Sequence, residues 1–281
     1  MGNEESLFPI PHSSFLIPHL TIVKVGGGVV EEEASLKALL SAFTALEGPK
    51  VLVHGGGRSA TALARQLGIE TRMAGGRRIT DADTLRVVTM VYAGWVNKQI
   101  VAQLQAMGTD ALGLTGADLG LIQAHRRPPV KQSDGTVIDY GFVGDIDQTD
   151  GDRLLQLLRL GITPVIAPLT LDTHDKGGLL NTNADTVANA VAAALAKRCD
   201  TSLIFLFELP GVLADPDDPD TVIPHITAAQ FPSLIESGTI SGGMIPKIEN
   251  ALHACRQGVK SVRITNTQGL ANGDGTCITL Q

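Results

Sequence analysis

Two lysines lie beside glycine-rich turns, where an ammonium group can reach a bound phosphate. Lys24 stands just before the glycines at 26–28, and Lys247 follows a second glycine turn at 241–246. Glycine lets backbone N–H groups approach an anion closely, and the N-terminus of a following helix adds its positive end. A lysine contributes a compact point charge to such a site. Solvated lysines are the alternative, but two of them at glycine turns favour phosphate binding from both halves of the chain.

A third glycine turn, residues 55–57, follows an apolar run that ends at His54. A glycine run alone is equally compatible with a tight turn. The two runs 26–28 and 55–57 each follow an apolar segment, and together they favour a phosphate site. Neither run has the order G-x-x-x-x-G-K-[ST] of the P-loop or G-x-G-x-x-G of dinucleotide sites. We interpret His54 as a packing and hydrogen-bonding residue and not as a general base, because it ends a buried strand.

Two polar segments could complete a site. Arg78 lies in the stretch 77–81 before a long helix, where it is either half of a solvated charge pair or a clamp for a substrate carboxylate. Asp185 ends the pentapeptide 181–185 at a predicted hairpin-to-helix junction, where Asn183 is a natural N-cap. The whole pentapeptide is less easily explained by capping alone.

The order of elements predicts where these residues meet. Residues 20–25 and 51–53 are predicted strands, and each is followed by a glycine turn and a helix, the helices covering 31–46 and a segment that ends near 67. This order predicts an α/β fold with a mainly parallel sheet and helices on both faces, whose ligands bind beyond the carboxyl ends of the strands.

The remaining segments extend the same pattern. A long helix is predicted over 81–107, with a break at Gly94, and its surplus of apolar positions suggests contact with another subunit. Short strands and hairpins follow over 109–148, including a turn at 133–135. Further helices are predicted over 151–160, 183–197, 227–237 and 245–257, and further strands over 163–167, 202–207 and 261–264. A lobe boundary is expected near Ala184.

Composition limits the class of protein. The 281 residues are 43% hydrophobic and 18% charged, and the net charge of −7 argues against a general nucleic-acid binder. No uninterrupted apolar run is long enough to cross a bilayer, and residues 1–19 do not read as a signal peptide. Three widely spaced cysteines predict neither disulfides nor a zinc site. We therefore expect a cytoplasmic protein without membrane or nucleic-acid partners.

Taken together, these segments resemble the amino-acid kinase superfamily and, within it, the N-acetylglutamate kinase family. The matching segments are 24–27, 54–57, 76–80, 97–98, 181–185 and 243–247. They follow the family's order over residues 20–265, which is nearly the whole chain. The resemblance implies an open αβα sandwich of the amino-acid kinase fold with two lobes: an N-terminal tail at 1–19, an acyl-amino-acid lobe at 20–184 and a nucleotide lobe at 185–281.

The resemblance also implies roles for individual residues. Lys24 and Lys247 would contact the transferred phosphoryl group from opposite sides, and Asp185 would hold both lysines in place. Arg78 would pair with the substrate's α-carboxylate, and Asn181 would bind its acylamino group. The glycines implied at the site are Gly26, Gly27, Gly55 and Gly56 for the phosphates, with Gly56 and Gly57 at the substrate.

The implied reaction is ATP-dependent phosphorylation of the γ-carboxylate of N-acetyl-L-glutamate, a step towards arginine and ornithine. A glutamate side chain is ionised at neutral pH and needs no general base to attack, so positioning and charge neutralisation suffice. The cofactors implied are ATP and Mg²⁺, with the metal held mainly by ATP oxygens and no protein metal cluster. A homodimer through the helix at 83–107 is expected.

Two departures from the family pattern keep alternatives open. The stretch 207–212 begins with Phe207-Glu208 where relatives carry Ser or Thr followed by Asp, and the chain end after Ile264 is short. An N-succinylglutamate kinase with the same machinery is one alternative, for which Arg72 or Arg77 could supply an extra cation. A non-catalytic amino-acid or nucleotide sensor is the other. Carbamate kinase and aspartokinase chemistry fit Arg78 and the 181–185 segment less well.

Overall fold

A computed structural model describes residues 17–132, 134–175 and 177–281. Residues 1–16 of the predicted tail and Ser133 of the predicted turn lie outside these ranges. The strands are β1 His19–Val25, β2 Lys50–His54, β3 Arg72–Ala74, β4 Arg77–Ile79, β5 Ala111–Leu114, β6 Ile122–Arg126, β7 Val130–Lys131, β8 Val137–Ile138, β9 Gly144–Thr149, β10 Thr163–Ile166, β11 Leu169–Asp172, β12 Gly178–Asn181, β13 Asp200–Leu206, β14 His225–Thr227, β15 Ser261–Thr265 and β16 Thr276–Thr279. The α-helices are α1 Gly27–Glu31, α2 Glu33–Ala45, α3 Gly57–Gln66, α4 Ala82–Thr89, α5 Asn97–Ala106, α6 Gly151–Arg159, α7 Ala184–Ala196, α8 Phe231–Glu236, α9 Met244–Arg256 and α10 Thr267–Asn272.

The central sheet has eight strands in the order β14-β16-β15-β13-β1-β2-β10-β5. All neighbours from β15 to β5 pair in parallel, whereas β16 runs antiparallel to β15 and carries β14 with it. The predicted mainly parallel sheet is confirmed. A second sheet, β12-β11-β6-β9, lies beside it and ends at the segment that leads into α7.

Alternating side chains of the central sheet enter two separate apolar cores. On β1, Leu20 and Ile22 pack with the side of the sheet covered by α6, α7 and α9, whereas Val23 and Val25 pack with the side covered by α2 and α5. This alternation follows from the two-residue period of a strand. Because both faces are covered by helices, the predicted αβα sandwich is confirmed.

The helical segment after β1 is broken where one helix was predicted. Helix α1 ends at Glu31, and α2 begins after Glu32, which has an extended backbone. The Glu32 carboxylate accepts hydrogen bonds from the N–H groups of Ala34 and Ser35. An acidic cap of this kind starts a new helix, so two helices form in place of one.

The long predicted helix at 81–107 consists of α4, a π-helical segment Met90–Val96 that contains Gly94, and α5. Asp81 caps its start by accepting from Thr84 N at 2.8 Å. The inward face is buried as the apolar pattern predicts, at Val87, Val88, Val91, Val96, Ile100 and Leu104. Met90 and Trp95 remain exposed, at 52% and 65%.

The predicted helix at 227–237 is wrong at its start. Thr227 belongs to the edge strand β14, which pairs with β16, and the buried Ile226 fixes β14 to the sheet. Helix α8 begins only at Phe231, with Pro232 in its first turn, where the missing N–H of proline costs nothing. After β15 there is room for the short helix α10 before the chain returns as β16.

Candidate functional site

The two glycine turns after β1 and β2 face each other at the carboxyl edge of the sheet. Gly55 N donates to Val25 O at 3.1 Å. A Cβ atom on Gly55 would lie 3.2 Å from the N atom of Gly27, and one on Gly27 would lie 3.4 and 3.5 Å from the N atoms of Gly57 and Gly56. Backbone amides therefore converge on a space that only glycine leaves open, which suits an anion.

Two cavities lie on either side of the first glycine turn. The first, of about 200 Å³, is lined by Gly27, Gly55, Gly56, Gly57, Met73, Gly76, Arg77, Arg78, Tyr92, Val143, Pro168, Asn181, Thr182, Asn183 and Ala184. The second, of about 260 Å³, is lined by Gly26, Gly28, Val29, Leu206, Phe207, Glu208, Leu209, Gly211, Met244, Lys247 and Ile264. Gly27 lines the first cavity, whereas Gly26 and Gly28 line the second, so this turn borders both cavities.

Three charged side chains come together from three elements at this place. Lys24 Nζ, at the end of β1, lies 2.7 Å from Asp185 Oδ1 in the first turn of α7, and Lys24 is only 7% exposed. Lys247 comes from the first turn of α9. Burial lowers the pKa of Lys247 and the charge of Lys24 lowers it further, whereas Asp185 and Glu208 act in the opposite direction. The predicted trio thus forms one electrostatic unit.

Arg78 is a buried cation whose charge the described residues do not balance. It lies on β4 in the β3–β4 hairpin and is 8% exposed. Its Nη2 donates to Gly57 O at 2.8 Å and to Thr61 Oγ1 at 2.9 Å, but the buried Nε has no hydrogen-bond partner. No carboxylate of the described residues lies within 4 Å of it. A buried charge without a partner is costly, so Arg78 is prepared for an anion from the first cavity.

Asn181, which also lines the first cavity, is held in one orientation by Thr80. Its Nδ2 donates to Thr80 Oγ1 at 3.0 Å, and that hydroxyl donates in turn to Arg78 O. The Oδ1 atom is therefore the part of the amide that can accept a hydrogen bond from a ligand. Asn183 caps α7, as predicted, by accepting from the N–H groups of Asp185 and Thr186.

His54 is fully buried and has the structural role that was predicted for it. Asn97 Nδ2 lies 3.1 Å from His54 Nε2 and 2.9 Å from Val165 O, and His54 Nδ1 lies 2.8 Å from Gly55 O. Since the carbonyls can only accept, Nδ1 carries the proton and Nε2 accepts from Asn97. Burial lowers the pKa of His54 to about 4, so the ring is neutral at physiological pH.

Two aromatic residues make contacts at the site that were not predicted. Tyr92 comes from the π-helical segment and lines the first cavity, with its ring 3.0 Å from where a Cβ of Gly56 would lie, and burial raises its pKa. The ring of Phe207 lies 4.0 Å from Lys247 Nζ and 5.7 Å from Lys24 Nζ. The apolar pattern of the long helix does not reveal Tyr92. The sequence shows Phe207 as a departure from the family pattern but does not reveal its contacts with the two lysines.

The two arginines considered for an N-succinyl substrate, Arg72 and Arg77, differ in their position relative to the first cavity. Arg77 lines the first cavity, with a buried Nη1 that has no hydrogen-bond partner among the described residues, whereas Arg72 is not part of the lining.

The described residues contain no group of three or more His, Cys, Asp or Glu side chains placed to hold a metal ion. Within the described ranges, no helix combines the length and apolarity that a membrane span requires.

Comparison with known proteins gives a consistent pattern. The model of the amino acid kinase family matches residues 19–266. A protein from Parabacteroides distasonis named acetylglutamate kinase is 56% identical over 258 residues, which are 92% of this chain and 98% of that protein. One of the same name from Phocaeicola vulgatus is 56% identical over 260 residues, with the same shares. The crystal structure of smu.665 from Streptococcus mutans UA159 has a TM-score of 0.72 at 27% identity and covers 93% of this chain and 99% of its own.

Proposed function

Because this chain belongs to the amino acid kinase family, we propose that it catalyses the ATP-dependent phosphorylation of the γ-carboxylate of N-acetyl-L-glutamate. The observation that carries the proposal is the pair of cavities at one glycine turn. Lys247 lines the second cavity, and Asp185, which follows Ala184 of the first cavity, is paired with Lys24. Two anionic ligands can approach each other there, and the residues between them can neutralise charge without taking part in covalent chemistry.

The first cavity is the proposed site of the acyl-amino acid. Arg78 would pair with the α-carboxylate, because its guanidinium lacks a partner for its charge, and Asn181 Oδ1 would accept from the acylamino N–H. The side-chain carboxylate then points towards the first glycine turn. Apart from Gly26, Gly28 and Val29, the second cavity is lined by residues after 200, which supports the assignment of 20–184 to the acyl-amino acid and of 185–281 to the nucleotide.

The transfer itself would take place over the glycine amides. A carboxylate oxygen of the substrate forms a bond to the γ-phosphorus of ATP, and the bond from that phosphorus to the bridging oxygen breaks, giving an acyl phosphate and ADP. Lys24 and Lys247 would offset the charge on the phosphoryl oxygens from two sides, and the amides of Gly27, Gly55 and Gly56 would offset the rest. Asp185 would hold Lys24 in place.

Mg²⁺ is the proposed metal of the nucleotide. It would be held mainly by the phosphate oxygens of ATP, because Asp185 is already paired with Lys24 at 2.7 Å. When bound, the metal would neutralise charge on the phosphates. The site therefore fits a metal that arrives with ATP.

The finer biological setting is also a proposal. An acyl phosphate of N-acetylglutamate is an activated carboxylate suited to reduction, and we assign the reaction to arginine biosynthesis in the cytoplasm. Three free cysteines, Cys199, Cys255 and Cys277, fit a reducing compartment. We further propose a homodimer that forms through the exposed side of the long helix, where Met90 and Trp95 lie.

The alternatives have less support. The relatives described above are named acetylglutamate kinase, which favours an acetyl over a succinyl group, although Arg77 lines the cavity. A non-catalytic sensor would not need two lysines and a carboxylate at the junction of its two cavities. We therefore keep N-succinylglutamate only as a comparison substrate.

The proposal is tested by measuring ADP release with N-acetylglutamate, N-succinylglutamate, glutamate and aspartate in parallel. We expect turnover with N-acetylglutamate at the highest kcat/KM, and loss of turnover in Lys24→Ala and Lys247→Ala. No turnover with any acceptor would contradict the kinase assignment. Equal kcat/KM for free glutamate would contradict the acyl specificity, and a higher value for N-succinylglutamate would assign the larger acyl group.

A further inference from the structure

Phe207 stands where the family resemblance leads one to expect a small hydroxyl residue, and the fold brings its ring against the charged residues of the site. Strand β13 pairs in parallel with β1, with Phe205 opposite Lys24. Because side chains alternate along an extended chain, Phe207 follows Phe205 on the same face as Lys24. The two rings stack, with centroids 6.2 Å apart and planes 23° from parallel. The stacking fixes the plane of the Phe207 ring.

The face of this ring is turned towards ammonium groups. Lys247 Nζ lies 4.0 Å from the ring centroid and Lys24 Nζ lies 5.7 Å from it. Both distances are within the range of about 6 Å over which the ring quadrupole attracts a cation. Phe207 is half-buried and lines the second cavity together with Lys247, so the ring and the ammonium group both border the proposed nucleotide site.

The charges around Lys247 explain why the face of the Phe207 ring is important for its protonation state. The groups that act on Lys247 are Asp185, Lys24 and Glu208, and Asp185 is already in contact with Lys24. Glu208 is largely exposed, with 81% of its side chain accessible. Burial and the like charge of Lys24 both disfavour the ammonium form of Lys247. A ring face stabilises that form without adding a negative charge that would repel phosphate.

We propose that Phe207 is a positioning residue, whose ring acts as a cation–π platform that keeps Lys247, and to a lesser extent Lys24, charged and directed at the transferred phosphoryl group. The role rests on the proposed kinase function, since it acts through the two lysines. It also explains how the chain can carry an aromatic residue at this place without losing the transfer site. A hydroxyl residue at this place would act through hydrogen bonds, whereas the Phe207 ring acts through its electrostatic attraction for the lysines.

The test compares Phe207→Leu, which keeps an apolar side chain of similar size, with Phe207→Tyr, which keeps the ring. Cation–π attraction of roughly 0.7 to 2 kcal/mol predicts that Phe207→Leu lowers kcat by about 3- to 30-fold. The KM for N-acetylglutamate stays unchanged. The alkaline limb of the kcat profile moves to lower pH by about 0.5 to 1.5 units, because Lys247 loses its proton more easily. Phe207→Tyr should restore both properties.

Phe231→Leu is the matched control, because Phe231 is 8% exposed and belongs to the same apolar core but lies on α8. It should lower the melting temperature but leave the alkaline limb in place. If Phe207→Leu and Phe231→Leu change the melting temperature and the pH profile in the same way, Phe207 has a packing role only and the proposal is overturned.

A second measurement does not depend on activity. The titration of Lys247 can be followed by NMR in the nucleotide-free protein labelled at lysine, with Lys247→Arg used to assign the signal. We expect a lower pKa of Lys247 in Phe207→Leu than in the wild type and in Phe207→Tyr. An unchanged titration in Phe207→Leu would overturn the platform. An inactive wild type that still shows the shift would contradict the kinase function while leaving the platform intact.

Discussion

Single side chains at the site differ in how far the protein itself balances their charge. Lys24 has Asp185 at 2.7 Å, whereas Arg78 is equally buried and has no carboxylate within 4 Å among the described residues. A folded protein tolerates such an imbalance where a ligand supplies the missing charge. The unbalanced arginine is therefore the strongest sign that the first cavity receives an anion.

Replacing Arg78 should weaken binding of one substrate only. In Arg78→Met the charge-assisted hydrogen bonds to the α-carboxylate are lost, and we expect the KM for N-acetylglutamate to rise by about 10- to 100-fold, from roughly 1.5 to 3 kcal/mol. The KM for ATP should change little. Arg65→Met, at an exposed position of α3, is the control. An unchanged KM for N-acetylglutamate in Arg78→Met would exclude this role.

His54 should make the fold sensitive to acid. Its pKa in the folded protein, about 4, lies below its ordinary value near 6.5, so the unfolded chain takes up the proton first as the pH falls. The contribution of the neutral His54 ring to the free energy of unfolding is fully present above pH 6.5 and is lost as the pH falls towards 4. The loss amounts to about 2 kcal/mol at pH 5. Urea unfolding at pH 7 and pH 5 should show this loss in the wild type but not in His54→Gln.

The exposed His253 provides the control for that experiment. His253→Gln should lose as much stability between pH 7 and pH 5 as the wild type. If His54→Gln does so as well, His54 is not the residue responsible for the acid sensitivity.

Glycine turns and strand ends indicated Lys24, Lys247 and His54, whereas the grouping of the two lysines with Asp185 was implied by the family resemblance. The contacts of Tyr92 and Phe207 could not be predicted. Tyr92 reaches the cavity only because the helix has a π-helical segment, and Phe207 meets Lys247 only because α9 packs near the end of β13. Both contacts depend on packing between segments that are distant in sequence.

Among the turns, strands and helices, the paired glycine turns carry the anion site. Their strands are neighbours in the sheet, and parallel pairing sets Val25 opposite His54, so both turns start at the same level. The amides of one turn then face the other. Since this arrangement belongs to the backbone, a single methyl group can disturb binding with little change in the fold.

Gly27→Ala should separate folding from function. The added Cβ would lie 3.4 Å from the nearest amide N, which is ordinary contact, but it would fill the space into which the amides point. We expect a melting temperature close to that of the wild type and a kcat about 10- to 100-fold lower, in line with losing part of an electrostatic cradle. Gly94→Ala is the control, because a Cβ there meets nothing within 4 Å. Equal kcat in both variants would contradict an anion site at Gly27.

Element types were predictable where hydrophobic periodicity and glycine turns agreed, as for β1, β2, α7 and α9. The prediction failed where tertiary pairing decided the structure. Thr227 lies in a segment with helical periodicity but pairs with β16 in the sheet, and β16 itself is a strand of only four residues, which is too short for a clear sequence pattern. Glu32 broke a helix that propensity alone would continue, because its side chain caps the next one.

For the whole chain, both halves contribute to one eight-stranded sheet, so the two proposed ligand sites share a rigid base. One edge of that sheet, β5, has its outer side unpaired in the described structure, and Leu112 on it is 38% exposed. Trp95 and Met90 are exposed on the neighbouring helical segment. An open strand edge beside exposed apolar side chains favours association with a second copy.

Trp95→Glu should therefore change the oligomeric state. We expect a dimer in the wild type and a monomer in the variant, measured by light scattering after size-exclusion chromatography, because a buried unpaired carboxylate would oppose the interface. Leu160→Glu, at another exposed apolar position, should remain dimeric. A monomeric wild type, or a variant that stays dimeric, would argue against this face.

The most direct test of the account is to trap the product of phosphoryl transfer. An acyl phosphate reacts with hydroxylamine to give a hydroxamate, so wild-type protein with ATP, Mg²⁺ and N-acetylglutamate should form hydroxamate and ADP at equal rates. Lys24→Met and Lys247→Met should lower both rates by about 100-fold or more, whereas Lys37→Met, at an exposed position of α2, should not. Formation of ADP without hydroxamate would contradict transfer to the carboxylate.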